Sequence, residues 1–309
     1  MRPISFALPA LLAALPAAAE VPRVVTDLPA VHSLAAQVMG DLGTPEILLT
    51  QGADAHHYQM KPSQAAALQD AGLILWVGPE MTPWLERARA AMAPKTPSLA
   101  LLDAEGTFRR NFGAATHDHD HDHGAEPAAE ADGHDHEGID PHAWLDPKNG
   151  ATWLGLIAAE LGRLDPENAA TYAANAAAAQ ARLADLDAAL TAELTPVAGK
   201  PFVTFHEAYG YFADHYGLAA AGSIALGDAT EPGAAHLAEL QAEMAKDGIV
   251  CAFPEGQHDP RQLAQLVEGT GVRIGDALDP SGSTLPYGPG LYEALLRGLG
   301  ASISACLKG

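Results

Sequence analysis

After Asp165-Pro166 the chain runs to Leu194 through alanine, glutamine, leucine and arginine without another proline or glycine. The pattern predicts one helix over Pro166–Leu194, about 43 Å long at 1.5 Å per residue, with Asp165 as its N-cap and Glu167 near the positive dipole end. A flexible linker here would be rich in Gly, Ser or Pro. Whatever lies on either side must accommodate a rigid strut.

On both sides, short apolar runs alternate with helical patterns. Before the strut, strands are expected at Arg23–Thr26, Glu46–Thr50, Leu73–Val77 and Leu99–Leu102. Helices are expected at His32–Met39, Pro62–Gln69 and Pro83–Met92, and a capped helix should start at Asp146-Pro147. After it come strands at Pro201–Phe205, Gly222–Leu226, Ile249–Phe253 and Val272–Asp276. Helices follow at Glu207–Tyr216, Pro232–Lys246, Pro260–Glu268 and Pro289–Leu307. Such alternation means α/β units with mostly parallel sheets. The expected organisation is an N-terminal α/β lobe over 20–164, a connecting helix over 165–195 and a C-terminal α/β lobe over 196–309.

Residues 1–19 read differently. Met1-Arg2, an apolar stretch from Ile4 to Leu15 and the small residues Ala17-Ala18-Ala19 are the parts of a secretory signal peptide, with cleavage near Ala19. No later run reaches the roughly 18 apolar residues that a membrane-spanning helix needs. No cysteine lies near the cleavage point, so no lipid anchor is expected. The mature chain should be free in the periplasm, as a monomer. Its two cysteines, Cys251 and Cys306, form an even set in an exported chain, which favours a disulfide over the alternative of two buried thiols.

Charge narrows the partners. The chain has 17 Lys+Arg against 39 Asp+Glu, a formal net charge of −22, which excludes a nucleic-acid role and suits attraction of cations. Its 14 histidines are unevenly spread. Six of them, His117, His119, His121, His123, His134 and His136, lie in Thr116–Gly138 together with eight acids and no large apolar residue. That segment reads as a disordered loop with metal-contacting capacity.

Of the remaining eight, position discriminates. His56 follows the second strand through a short loop, His142 precedes the Asp146-Pro147 helix, and His206 follows directly on the strand Pro201–Phe205. Asp279 lies just past the last strand. In open α/β sheets ligands collect outside the carboxyl ends of the strands, so three imidazoles and a carboxylate can meet between the lobes. Such a donor set suits Zn²⁺ in a tetrahedron, and three nitrogens favour zinc over manganese. Four protein ligands would leave no open position for an activated water, which argues for holding the ion rather than using it. His32, His215 and His236 read as helix residues, and His258 as a candidate lining of the cleft. Glu207 reads as a helix N-terminal acid. No G-x-S-x-G, H-E-x-x-H or phosphate-binding glycine loop is present.

Several motifs, in this order, carry a family resemblance. They are His56-x-Tyr58-x-x-x-Pro62-Ser63, Leu75-Trp76-Val77-Gly78-Pro79-Glu80, Asp140-Pro141-His142-Ala143-Trp144-Leu145, Phe205-His206-Glu207-Ala208-Tyr209-Gly210-Tyr211-Phe212 and Leu278-Asp279-Pro280. Over essentially the whole mature chain the sequence resembles the metal-specific substrate-binding proteins of ABC uptake systems (cluster A-I), in particular their zinc-binding, ZnuA-like branch. The resemblance implies two α/β lobes joined by one long helix, with His56, His142 and His206 as metal ligands. Asp279 matches an acidic position used as fourth ligand in some members, and Cys251/Cys306 matches a disulfide of the zinc branch. The chain departs from many zinc members in having Ala55 where they have glutamate and His57 where an acid is common.

It also implies a function: binding Zn²⁺ and handing it to an inner-membrane ABC permease, with a periplasmic zinc metallochaperone as a further partner. Three rivals belong beside it. The first is a relative that binds manganese or another divalent metal. The second is a zinc-dependent hydrolase with Glu207 or Glu255 as base. The third is a metal buffer in which the His-rich loop is the working part.

Overall fold

The computed structural model describes residues 20–113, 138–225, 233–246 and 248–309. The expected signal peptide and the six histidines of the His-rich segment lie outside these. Among the described residues, no helix is long and apolar enough to cross a membrane.

The first lobe contains β1 (Val24–Thr26), α1 (Pro29–Met39), β2 (Glu46–Ile47), α2 (Pro62–Gln69), β3 (Leu73–Trp76), α3 (Pro83–Met92) and β4 (Ser98–Ala100). Two longer helices follow, α4 (Pro147–Leu164) and α5 (Ala169–Leu194). The second lobe holds β5 (Pro201–His206), α6 (Gly210–Tyr216), β6 (Ala219–Ala225), α7 (Ala234–Lys246), β7 (Cys251–Ala252), α8 (Pro260–Val267), β8 (Arg273–Ile274) and α9 (Leu291–Lys308). Among the described residues, each lobe has one four-stranded, wholly parallel sheet, ordered β2-β1-β3-β4 in the first and β6-β5-β7-β8 in the second. The order is the same in both: the first strand of each lobe lies between its second and third. Chain direction therefore switches beside β1 and β5, where α/β sheets open a crevice at the strands' carboxyl ends.

Local chemistry explains the starts of the helices. Proline stands in the first turn of α1, α2, α3, α4 and α8, where its missing N–H costs nothing. Asp146 caps α4 by accepting from Lys148 N at 2.8 Å, and Asp259 caps α8 by accepting from Arg261 N at 3.0 Å.

The connecting helix differs from expectation at its start. It begins at Ala169, not Pro166, and has 26 residues. Asp165 ends α4 instead of capping α5. Its N–H bonds Leu161 O at 2.8 Å, and its carboxylate accepts from Asn168 Nδ2 at 2.7 Å and Tyr172 OH at 2.8 Å. Nor does the helix bridge solvent. Tyr172, Ala176, Ala179, Leu183, Leu186, Leu190 and Leu194 form a buried stripe at helical spacing that packs on α1, α4 and α9. Leu34, Trp153, Leu186, Phe202 and Leu296 belong to one continuous core, so both lobes share it with α5. Burial of each large side chain contributes about 2 kcal/mol, so bending this helix would open the core. A disulfide joins Cys251 of β7 to Cys306 of α9.

The helix expected from Glu207 starts three residues later. Ala208 N bonds His206 O at 2.9 Å, making a tight turn directly after β5, and Tyr209 precedes the first helical residue, Gly210. Glu207 is therefore a turn residue and not a helix N-terminal acid; its carboxylate accepts from Gly113 N at 2.7 Å.

Candidate metal centre

Three of the four proposed ligands converge. One ring nitrogen from each of His56, His142 and His206 lies within 4.8 Å of the others. His206 ends β5, while His56 sits on the loop after β2. The first of these loops is held from outside: Trp84 Nε1 donates to Ala55 O at 2.9 Å, and Asp54 Oδ1 accepts from His56 N at 2.8 Å. The short loop carrying His142 is pinned at Trp144, whose Nε1 donates to Pro280 O at 2.7 Å. Tyr292 OH of α9 donates to Trp144 O at 2.6 Å. Two contacts with the second lobe thus hold the loop that carries His142.

Orientation of the rings follows from buried carboxylates. Asp140 Oδ1 lies 2.9 Å from His142 Nδ1, and Glu255 lies 2.8 and 2.7 Å from His206 Nδ1 through its two oxygens. Both acids are buried. An ionised carboxylate only accepts, so each Nδ1 carries the proton and each Nε2 the lone pair. Those two Nε2 atoms face each other at 3.4 Å. Two ligands of a tetrahedral zinc ion at 2.0–2.1 Å are separated by about 3.3 Å. Burial first, then the nearness of His142 and His206, holds the His56 imidazole well below the ordinary histidine range, so it is neutral and able to donate a lone pair. The donor set fits zinc.

Asp279 does not join this cluster. Its Oδ1 accepts from Gly282 N at 2.8 Å and Ser283 N at 3.2 Å, and its Oδ2 accepts from Thr284 N at 2.8 Å and Thr284 Oγ1 at 2.6 Å. Both oxygens hold the turn that follows Pro280. His57 is exposed, 3.3 Å from Asp54 Oδ2, and also stays outside the three-histidine group.

Around the histidines lies a cleft of about 240 Å³, lined among others by Met81, Trp144, Phe205 and His258. His258 stacks on Phe205 with ring centroids 4.1 Å apart, so it does line the cleft. The other described histidines are engaged elsewhere. His32 Nε2 lies 3.1 Å from Pro45 O, and His236 Nε2 lies 3.0 Å from Ser223 O. His215 bridges Asp146 at 3.0 Å and Asp187 at 2.7 Å.

Residue types alone did not reveal the supporting shell. Asp140 stands two residues before His142, a spacing that a carboxylate–histidine pair can use, yet its residue type alone assigns it no role. Glu255 entered only as a hydrolase base; the structure turns it toward the far nitrogen of His206. Tyr209 OH donates to Glu255 at 2.9 Å. Burial, followed by the Glu255 charge, pushes that phenol well above its ordinary range, so it remains a donor.

Comparison with known proteins agrees with this geometry. Residues 24–306 match the family model described as the periplasmic zinc-uptake complex component A, ZnuA. The high-affinity zinc uptake system protein ZnuA of Paracoccus denitrificans is 53% identical, over 99% of each chain. Its counterpart in Brucella suis is 38% identical, over 92% of this chain and 91% of its own. A crystal structure of ZnuA superposes with a TM-score of 0.74 at 25% identity, covering 92% of this chain and 98% of that one. FpvC of Pseudomonas aeruginosa in complex with Mn²⁺ shares the fold, with a TM-score of 0.78 at 22% identity over 93% and 99% of the two chains. With its paired parallel-sheet lobes, its long shared helix and its match over nearly the whole length, the chain belongs to the ZnuA family of periplasmic zinc-uptake components.

Proposed function

We propose that this chain binds Zn²⁺ in the periplasm through His56, His142 and His206 and delivers it to an inner-membrane ABC permease. One observation carries the reading: two Nε2 atoms aimed at each other at 3.4 Å, each with its Nδ1 on a buried carboxylate, and a third imidazole beside them. The relatives in Paracoccus denitrificans and Brucella suis are named for high-affinity zinc uptake, which supports zinc as the cargo. Three nitrogens favour zinc over the harder manganese ion.

A water completes the tetrahedron, and Asp279 serves by keeping the turn after Pro280 in place. Zinc with a bound water also describes a hydrolase, so the base matters. Glu255 is held against His206 Nδ1 and Tyr209, and Glu207 against Gly113 N. Both carboxylates are thus engaged with the protein, which supports a cleft that holds the ion over one that uses it. Export by cleavage near Ala19 and action as a monomer complete the proposal.

Calorimetric titration of the mature chain with Zn²⁺ and with Mn²⁺ tests it, alongside a deletion of 116–138. One tight zinc site in both proteins, with weaker manganese binding, is the expected result. Loss of the tight site in the deletion would place the function in the His-rich segment instead.

A further inference from the structure

Arg110 has a place in this molecule that zinc uptake alone does not explain. Its side chain is 5% exposed, and Nη1 donates to Asp140 Oδ2 at 2.9 Å. Asp140 is fully buried, and its other oxygen accepts both His142 N at 3.0 Å and the His142 Nδ1–H at 2.9 Å. On its far side, Arg110 Nε donates to Asp214 Oδ2 of α6 at 3.1 Å. Backbone contacts enforce the arrangement. Asp140 N donates to Arg110 O at 2.9 Å, Arg110 N donates to Tyr211 OH at 3.0 Å, and that hydroxyl donates to Asp140 O at 2.8 Å. The guanidinium also lies over the Tyr211 ring, 5.9 Å from its centroid.

Glycine at position 210 makes room for it. A Cβ there would fall 1.5 Å from Arg110 Nη1 and 2.2 Å from its Cζ. The first residue of α6 thus has to lack a side chain for the guanidinium to reach Asp140.

We propose that Arg110 is a positioning residue for the metal ligand His142, acting through Asp140. The guanidinium holds Oδ2 of Asp140, which sets the plane of the carboxylate and aims Oδ1 at Nδ1–H. That bond selects the tautomer whose Nε2 lone pair faces His206. Without the guanidinium, Asp140 loses its strongest donor and the carboxylate turns about its own axis. His142 then divides its time among tautomers and rotamers, only one of which binds zinc. Arg110 also bonds Asp214 of α6, so the guanidinium that supports a first-lobe ligand is tied to the second lobe as well. The inference rests on the three-histidine reading of the site.

Two measurements separate it from a merely structural role. Zinc affinity is measured by chelator competition, and the His142 tautomer is read from ¹⁵N–¹H imidazole correlations in the metal-free full chain. Arg110→Met should weaken zinc binding about tenfold, the lower end for loss of a partner that orients a ligand, and should mix the His142 tautomers. Gly210→Ala, which leaves every polar group in place, should shift both readouts the same way by displacing the guanidinium. Arg110→Lys keeps a donor for Asp140 but not the fork that spans to Asp214, and should recover most of the affinity. Asp214→Asn spares the Asp140 contact and should stay within about threefold of the parent, well short of the tenfold loss.

Parent-like affinity with a parent-like tautomer in Arg110→Met would overturn the proposal. So would a loss of affinity in which the Nδ1–H signal persists and lysine rescues nothing. If Arg110→Met fails to fold, Gly210→Ala and Arg110→Lys decide by the same criteria. The tautomer readout uses no metal, so it judges Arg110 even if the parent chain bound no zinc, a result that would instead remove the proposed function.

Discussion

Glu255→Gln keeps the shape of a buried side chain and removes its charge. The carboxylate meets His206 Nδ1 at 2.8 and 2.7 Å and Tyr209 OH at 2.9 Å. A glutamine can satisfy the same partners, its carbonyl accepting from Nδ1–H and its NH₂ donating to the phenol oxygen. What disappears is a negative charge behind the ligand. With 2.7 Å from oxygen to Nδ1, about 2 Å across the ring and a Zn–N bond of about 2 Å, the charge lies about 7 Å from the bound ion. Coulomb attraction there amounts to about 1 kcal/mol at the dielectric of water and about 5 kcal/mol at an effective value of 20. Loss of a carboxylate behind a zinc-bound histidine typically costs 10–100-fold in affinity, about 1.4–2.8 kcal/mol, which falls inside those limits. Zinc Kd should rise by that factor. The metal-free protein should melt no lower and even somewhat higher, since the substitution removes a buried charge whose partners are a phenol and imidazoles instead of a lysine or arginine. Chelator competition gives the first number and apo-protein thermal unfolding the second. Unchanged zinc affinity would refute the reasoning. A lowered melting temperature would show that the glutamine does not fit, and the affinity change could then not be assigned to charge.

Asp279→Asn should alter zinc affinity less than about threefold, short of the 10–100-fold lost when a ligand's partner goes; a larger loss, with one fewer oxygen neighbour in X-ray absorption of the bound zinc, would make Asp279 a ligand. His215 offers a test with pH. Burial lowers its pKa, but the hydrogen bonds and charges of Asp146 and Asp187 outweigh that and leave it raised. A raised histidine contributes stability that is complete below about 6.5, its unfolded value, and is lost as pH climbs through the folded value. The difference in melting temperature between the parent and His215→Asn should therefore be largest at acid pH and shrink in alkali; a gap that widened with pH would reverse the assignment. Replacing Cys251 and Cys306 together by serine opens a link across 55 residues of sequence and should cost roughly 4 kcal/mol of stability in the chain-entropy model. Denaturant unfolding measures that cost, and zinc affinity should stay within a few-fold; a large affinity loss would mean that the disulfide also shapes the site.

Much of the fold was legible along the chain because its signals are local. Proline in a helix's first turn, a capping aspartate and short apolar runs act over a few residues, so α2, α3, α4 and α8 start where those signals stand. Boundaries moved where a side chain found a partner that the local pattern does not show. Asp165 has the residue type of an N-cap, yet Asn168 and Tyr172 occupy its carboxylate, and α5 starts later. Glu207 has the charge of a helix-start residue, yet a tight turn after β5 and the Gly113 N–H claim it.

The site divides in the same way. His56, His142 and His206 stand out in the sequence because His206 ends a strand, His142 lies shortly before a helix and His56 lies on the loop after β2, and ligands of α/β sheets gather outside the carboxyl ends of the strands. By itself, then, the sequence determined the class of fold and singled out three imidazoles as candidate ligands. Tertiary structure decided which nitrogens of His142 and His206 face each other and what the Asp279 carboxylate holds. His206 takes its orientation from Glu255, 49 residues away, and His142 takes its own from Asp140, which a buried arginine of the opposite chain segment holds in turn. A residue's type and its place on a strand are properties of neighbouring bonds. The partner of a buried charge is selected by which groups arrive at hydrogen-bond distance once water is gone, and only the closed chain specifies that.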